Sequence, residues 1–123
     1  MGSHPINLAV RFLLELAALG AMGTWGFAHG TGMTRYICGI GIPLIAVAFW
    51  VTFAVPNDPS RKGTAPVPVA GIWRLMLELS FFGVAVWMLS SLAKPALALS
   101  FGAAVVIHYA TSRDRIVWLL RAA

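Results

Sequence analysis

Four residues that can carry charge chemistry recur in one pattern along this chain. Arg11 precedes Glu15 by four positions, inside Arg11-Phe-Leu-Leu-Glu15-Leu16. The same spacing returns 63 residues later in Arg74-Leu-Met-Leu-Glu78-Leu79. Pro5 with Pro68, Gly20 with Gly83 and Gly39 with Gly102 match at the same offset. Leucine matches come easily in an apolar chain, but matched Arg, Glu, Gly and Pro do not, so the pattern reads as a tandem duplication. Both acids fall within long apolar runs. A charge held at mid-membrane costs about 2.5–3.5 kcal/mol on insertion scales, so both carboxylates are expected to face inward, paired or protonated. Each Arg shares a helix face with its own Glu. A symmetric alternative crosses the two copies, Arg11 with Glu78 and Arg74 with Glu15, using the bidentate fork of the guanidinium. In the structural reading these pairs brace two helices. In the functional reading the acids bind a cation or carry protons.

His108 and Tyr109 fall at the same depth and complete the candidate set of Arg11, Glu15, Arg74, Glu78, His108 and Tyr109. From the rise of ~1.5 Å per helical residue, the two acids lie roughly 10–14 Å from the cytoplasmic end of their helices. A lone His on an apolar helix is more often a satisfied core residue than a ligand. One His and two distant Glu make a weak metal signal, so no metal and no cofactor is expected. Tyr109 reads as an interface anchor. No nucleophile–base constellation is present, and the chain is not expected to be an enzyme. His29-Gly-Thr-Gly32 lacks the flanking strand and helix of a phosphate loop and reads as a helix stop. Asp58 is expected to meet Arg61 or Lys62 in a solvated loop, a contact worth little.

The elements that must position these groups follow from composition. The chain has 123 residues, 59% hydrophobic and 11% charged, with a mean hydropathy of +0.83. Soluble domains are nearer a quarter charged, so the expected class is an all-α integral membrane protein. About 20 apolar residues cross a bilayer core of ~30 Å, and four runs qualify: Ile6 to Ala28, Tyr36 to Val55, Gly71 to Leu92, and Ala96 to Thr111. Residues 5–55 form a first helical hairpin, 56–70 a cytoplasmic linker and 71–112 a second hairpin. Residues 113–123 either lie in the interface as an amphipathic helix or extend the fourth span. Met1-Gly-Ser-His4 resembles a tag remnant, and no cleavable signal peptide is evident. Cys38 is a single cysteine, so no intramolecular disulfide is available.

Net charge is +5, and its placement orients the chain. Arg11, Arg61, Lys62, Arg74, Arg113, Arg115 and Arg121 fall on one side, with only Arg35 and Lys94 on the other. The positive-inside rule then puts both termini in the cytoplasm. The basic residues form no single stripe, which excludes a nucleic-acid surface. Trp25, Phe27, Tyr36, Trp50, Trp87 and Trp118 fall towards span ends, as interfacial aromatics do. Two hairpins inserted in the same sense are related by a pseudo-two-fold along the membrane normal. Ala17, Gly20 or Ala21, Thr24 and Ala28 mark a packing face on the first span. Gly39-Ile-Gly41 with Pro43, and Gly102 with Ala103 and Ala104, mark close approach on the second and fourth.

Asn7-Leu-Ala-Val-Arg-Phe-Leu-Leu-Glu-Leu-Ala-Ala-Leu19 with Trp25-Gly26 resembles the bacterial YrdB-like family. Trp50-Val-Thr-Phe53 before Pro56, and Arg74 with Glu78 before Phe82, extend the likeness over nearly the whole chain. The resemblance implies a small four-helix protein of the bacterial inner membrane, and supplies no activity, cofactor or catalytic residue. Small multidrug-resistance transporters are similar in architecture alone: they have four spans and a glutamate in the first, but no Arg four residues before it. The expected role is structural or accessory, with Arg-Glu braces between helices. The alternative is a transporter or binding module for a cation, proton or amphipathic small molecule. Expected partners are the lipid bilayer and either a second copy or another membrane protein.

Overall fold

The computed structural model describes residues 5–56, 58 and 66–122. The expected tag remnant and Arg61 and Lys62 lie outside them. Five helices follow one another: α1 (Pro5–His29), α2 (Met33–Thr52), α3 (Gly71–Ser91), α4 (Pro95–Thr111) and α5 (Arg113–Arg121). Three of them are long and apolar enough to cross a membrane, or four spans result if α4 and α5 are taken together. Proline opens α1 and α4, where its missing N–H has no intrahelical acceptor to lose. Gly30 and Gly32 close the first turn as expected: Gly32 has a positive φ of 56°, and a Cβ on Gly30 would collide with the Arg35 backbone. The α3–α4 turn instead puts Ala93 at φ 57°. There Ala93 N–H donates to Ser90 O and Lys94 N–H to Leu89 O, closing α3.

α1 and α3 pack together in the middle of the molecule, α2 lies against α1, and α4 lies against α3. The core between them is built on Ala18, Ala21 and Met22 of α1, and Phe82, Ala85 and Met88 of α3. Small residues decide how closely α1 and α2 approach. A Cβ on Gly26 would lie 2.5 Å from Cys38 O, and one on Gly39 would lie 2.2 Å from the Phe27 ring. Gly39 therefore marks close approach as expected, whereas Gly41 faces open space. Of the stripe expected to pack on α1, only Ala21 does. Ala17, Gly20, Thr24 and Ala28 are all exposed, because Gly23 and Gly26 take the contact with α2 and Ala18 and Ala21 take the core.

The end of α2 differs from the sequence expectation. The helix stops at Thr52, and Phe53–Ala54 (β1) pairs in parallel with Val67–Pro68 (β2). Val69 N–H donates to Ala54 O at 2.9 Å. This short bridge holds the start and end of the linker together and buries Ala54, Val55 and Asp58.

The tail does not continue α4. The two helices bend by 69° at Ser112, and α5 folds back across the start of α3. Leu119 is fully buried there, and Ala122 O accepts the Gly71 N–H at 3.0 Å. The C-terminal end of α5 thus meets the N-terminal end of α3, an attractive pairing of helix dipoles that satisfies an orphan donor. Contact is so close that a Cβ on Gly71 would sit 1.7 Å from Leu119 O. Gly71→Ala is expected to lift α5 and cost about 1–3 kcal/mol, read as a lower thermal midpoint in detergent. An unchanged midpoint would show that α5 is not docked.

Candidate functional site

The polar groups converge at the end of the bundle formed by the start of α1, the end of α2, the start of α3 and the α4–α5 bend. Glu78 is the centre, with none of its surface exposed. It projects from the second turn of α3, whose neighbouring Phe81, Phe82 and Leu75 are core residues. A carboxylate there is costly unless every lone pair is engaged. Oε2 accepts from Arg11 Nη2 at 2.8 Å, Arg74 Nε at 2.8 Å and Arg115 Nη2 at 2.6 Å. Oε1 accepts from the Tyr109 hydroxyl at 2.8 Å. Four elements, α1, α3, α4 and α5, thus converge on one side chain.

Each arginine is itself anchored. Arg74 Nη1 donates to Phe53 O at 2.7 Å and also to Trp50 O. These carbonyls end α2 and have no helical partner, so Arg74 of α3 caps α2 with a cation where the helix dipole favours one. The Trp50 ring lies under this group, 4.5 Å from the Arg74 guanidinium carbon and 5.3 Å from that of Arg11. Cation–π attraction of this kind is strongest for Trp and for desolvated cations. Trp50 also packs on Phe81 and Phe82, and is part of the bundle rather than the interfacial anchor its position suggested.

Arg115 forms a two-pronged pair with Asp58, Nη1 to Oδ1 at 2.7 Å and Nη2 to Oδ2 at 3.0 Å. Burial works against its charge, but hydrogen bonds to Asp58, then the charge and hydrogen bond of Glu78, prevail and hold its pKa above the ordinary arginine value. The expectation of a solvated Asp58 is corrected, while its expected partners Arg61 and Lys62 lie outside the described residues. Asp58 is buried, not solvated, because the β1–β2 bridge turns the segment inward towards α5.

The candidate residues separate into two groups. Arg11, Arg74, Glu78 and Tyr109 are in direct contact. Tyr109 is a donor to Glu78 rather than an anchor at the lipid surface. Glu15 stands apart. It pairs with Arg11 of its own helix at 3.4 Å, and its side chain keeps 21% of its surface. The expected crossing of Arg74 to Glu15 does not form, since Arg74 is committed to Glu78 and the end of α2. The reason lies in what each acid finds around it. At the 63-residue offset, Tyr109 and Arg115 correspond to Ala46 and Thr52. Glu78 has donors from α4 and α5, whereas Ala46 and Thr52 carry only a methyl and one hydroxyl. His108 is buried beside the cluster with its ring 5.3 Å from that of Tyr109, and its Nδ1 has no hydrogen-bond partner.

Sequence reading missed Arg115, Asp58 and the α1–α4 link from Asn7 Nδ2 to the buried Ser112 Oγ at 2.6 Å. For Arg115 the sequence offers only a four-residue spacing to Leu119, and Arg113 stands at the same spacing from Val117, so the pattern does not single it out. Formal charge balances in the assembled site, with Arg11, Arg74 and Arg115 against Glu15, Asp58 and Glu78. Among the described residues no group of three or more His, Cys, Asp or Glu is placed to hold a metal ion.

Glu78→Gln would leave three guanidiniums around a neutral amide. A loss of about 3–5 kcal/mol is expected, against a smaller loss of about 1 kcal/mol for Glu15→Gln, whose side chain is partly exposed and whose partner Arg11 keeps Glu78. Chemical or thermal unfolding in detergent measures both. Equal effects would mean that the two acids share the load.

Residues 9–106 match the family described as a protein of unknown function, DUF2568. The chain is 39% identical over 118 residues to the uncharacterized protein YrdB of Bacillus subtilis, covering 95% of each chain. No solved structure gives a significant match.

Proposed function

The chain belongs to the DUF2568 family of proteins of unknown function, and from that footing we propose a structural or accessory protein of the bacterial inner membrane. The observation that carries this reading is the coordination of Glu78. Both of its oxygens are occupied by donors from four helices. A carboxylate that ferries a proton or cation must exchange partners during its cycle. Releasing Glu78 would leave Arg74 without a carboxylate, and Arg11 and Arg115 with only Glu15 and Asp58, in a low-dielectric site. The network suits a lock on the bundle better than a transport site, and the absence of a nucleophile–base pair in the sequence favours a non-enzymatic role.

In this proposal α1, α2, α3 and α4 are the four spans, arranged as two hairpins with a pseudo-two-fold along the membrane normal. α4 has 17 residues, about 25 Å of helix, and crosses with the help of its flanking turns. α5 lies in the cytoplasmic interface as a cap over the ion network. Among the residues of α2 only Gly39 is buried. Its apolar face is left for lipid, and for a second copy or another membrane protein.

Two measurements test the reading. A topology reporter fused at Ala123 is expected to score cytoplasmic, following the seven-to-two split of basic residues; a periplasmic score sinks the orientation. Neutralising Glu78 together with Glu15 is expected to lower the thermal midpoint to the same extent at every cation concentration and at every neutral or alkaline pH tried, where the native carboxylates are ionised. A double variant that stays folded but loses a pH- or cation-dependent response of the native protein would favour the transport alternative.

A further inference from the structure

A second feature lies at the opposite end of the bundle from the ion network. A groove of about 430 Å³ runs between α1, α3 and α4, lined by Gly20, Ala21 and Thr24, by Leu92, and by Leu97 and Phe101. Its α1 wall is the small-residue stripe, of which Ala17, Gly20 and Thr24 are exposed. A Cβ added at Gly20 would meet nothing within 4 Å, so the space is open. Its walls are almost entirely apolar, and Lys94, just before α4, stands at the rim.

The charge pattern says what belongs there. The chain has only four acids, Glu15, Asp58, Glu78 and Asp114. All four belong to the far end, in the ion network or on α5. Among the described residues Lys94 pairs with no carboxylate. The other cation of this end, Arg35, lies 5.9 Å from the centre of the Phe27 ring. Trp25, His29 and Trp87 cluster at the same level as Lys94, with Trp25 stacked on His29 at 4.2 Å and bonded to Ser91 Oγ at 3.2 Å. Such aromatics mark the headgroup depth of a bilayer. An ammonium at this depth with no acid of its own is complementary to an anion supplied by the membrane.

We propose that this groove is a binding site for an anionic phospholipid, with one acyl chain between α1, α3 and α4 and the phosphate on Lys94. The site requires the membrane reading of these helices but not the proposed orientation, because it is defined by the α3–α4 turn.

Native mass spectrometry of the purified, delipidated protein in detergent tests it, with phosphatidylglycerol and phosphatidylcholine of identical chains as probes. The native protein is expected to bind phosphatidylglycerol more tightly, by about fivefold for one lysine–phosphate contact. Lys94→Glu should abolish that preference by weakening phosphatidylglycerol more than phosphatidylcholine, whose phosphate meets the same side chain but is offset by its choline cation. Gly20→Leu should fill the groove and weaken both lipids, with the thermal midpoint kept because the added side chain meets open space. Equal binding of the two lipids by the native protein overturns the proposal, as does a preference that survives Lys94→Glu. If Gly20→Leu leaves both affinities intact, the acyl chain is elsewhere and the groove assignment fails. Detergent solution has no inner or outer side, so a failed topology test would leave these outcomes readable.

Discussion

A single ionised carboxylate inside an apolar bundle governs the arrangement of one half of this molecule. Glu78 has no exposed surface, and a lone buried charge is unstable by several kcal/mol. Three guanidiniums and a phenol must therefore reach it, and they come from α1, α3, α4 and α5. The demand propagates outward. Three arginines around one glutamate are over-charged, so Asp58 is drawn in to balance Arg115. That in turn requires the linker to turn inward after α2, which the β1–β2 bridge and the Arg74 cap on Trp50 and Phe53 accomplish. The α4–α5 bend, the Gly71 contact and the early end of α2 all serve the same site.

The other half is held differently. There the helices meet through close backbone approach at Gly26 and Gly39 and through apolar packing, with no buried ion pair among the described residues. Apolar packing is non-directional, so contacts of this kind fix the geometry less tightly than hydrogen-bonded ion pairs do. The open groove at that end is consistent with this division. One end of the bundle is fixed by directional bonds, while the other leaves a gap between helices that the chain itself does not fill.

Glu15 and Glu78 show how far similar sequence can diverge in environment. Both follow an Arg by four residues within apolar runs, yet one keeps about a fifth of its surface and has one partner, and the other is fully enclosed with four. The difference arises from Tyr109 and Arg115, which have no counterpart in Ala46 and Thr52. A matched motif specifies the group on the helix; the charges and donors brought by neighbouring helices specify what that group does.

Hydropathy and charge alone were enough to read an all-helical chain with several apolar helices, their ends within a few residues, and a polar cluster containing Arg11, Arg74, Glu78 and Tyr109. These features depend on local composition, on helical period and on the cost of placing charge in an apolar run, all of which are visible along one dimension. The identity of the arginine that completes the cluster was not visible. Arg115 lies in a segment whose alternatives, straight extension or interfacial tail, have the same composition, and only the 69° bend brings it to Glu78. Asp58 was hidden for the same reason, since a polar loop reads as solvated until the fold turns it inward. The direction of the small residues on α1 was also undecided, because Gly20 and Gly26 differ by 600° of helical rotation, or about a third of a turn from coincidence, and either could face a neighbour. Which face is covered depends on where α2 and α4 come to rest, and that is settled by packing and ion pairing across the whole bundle.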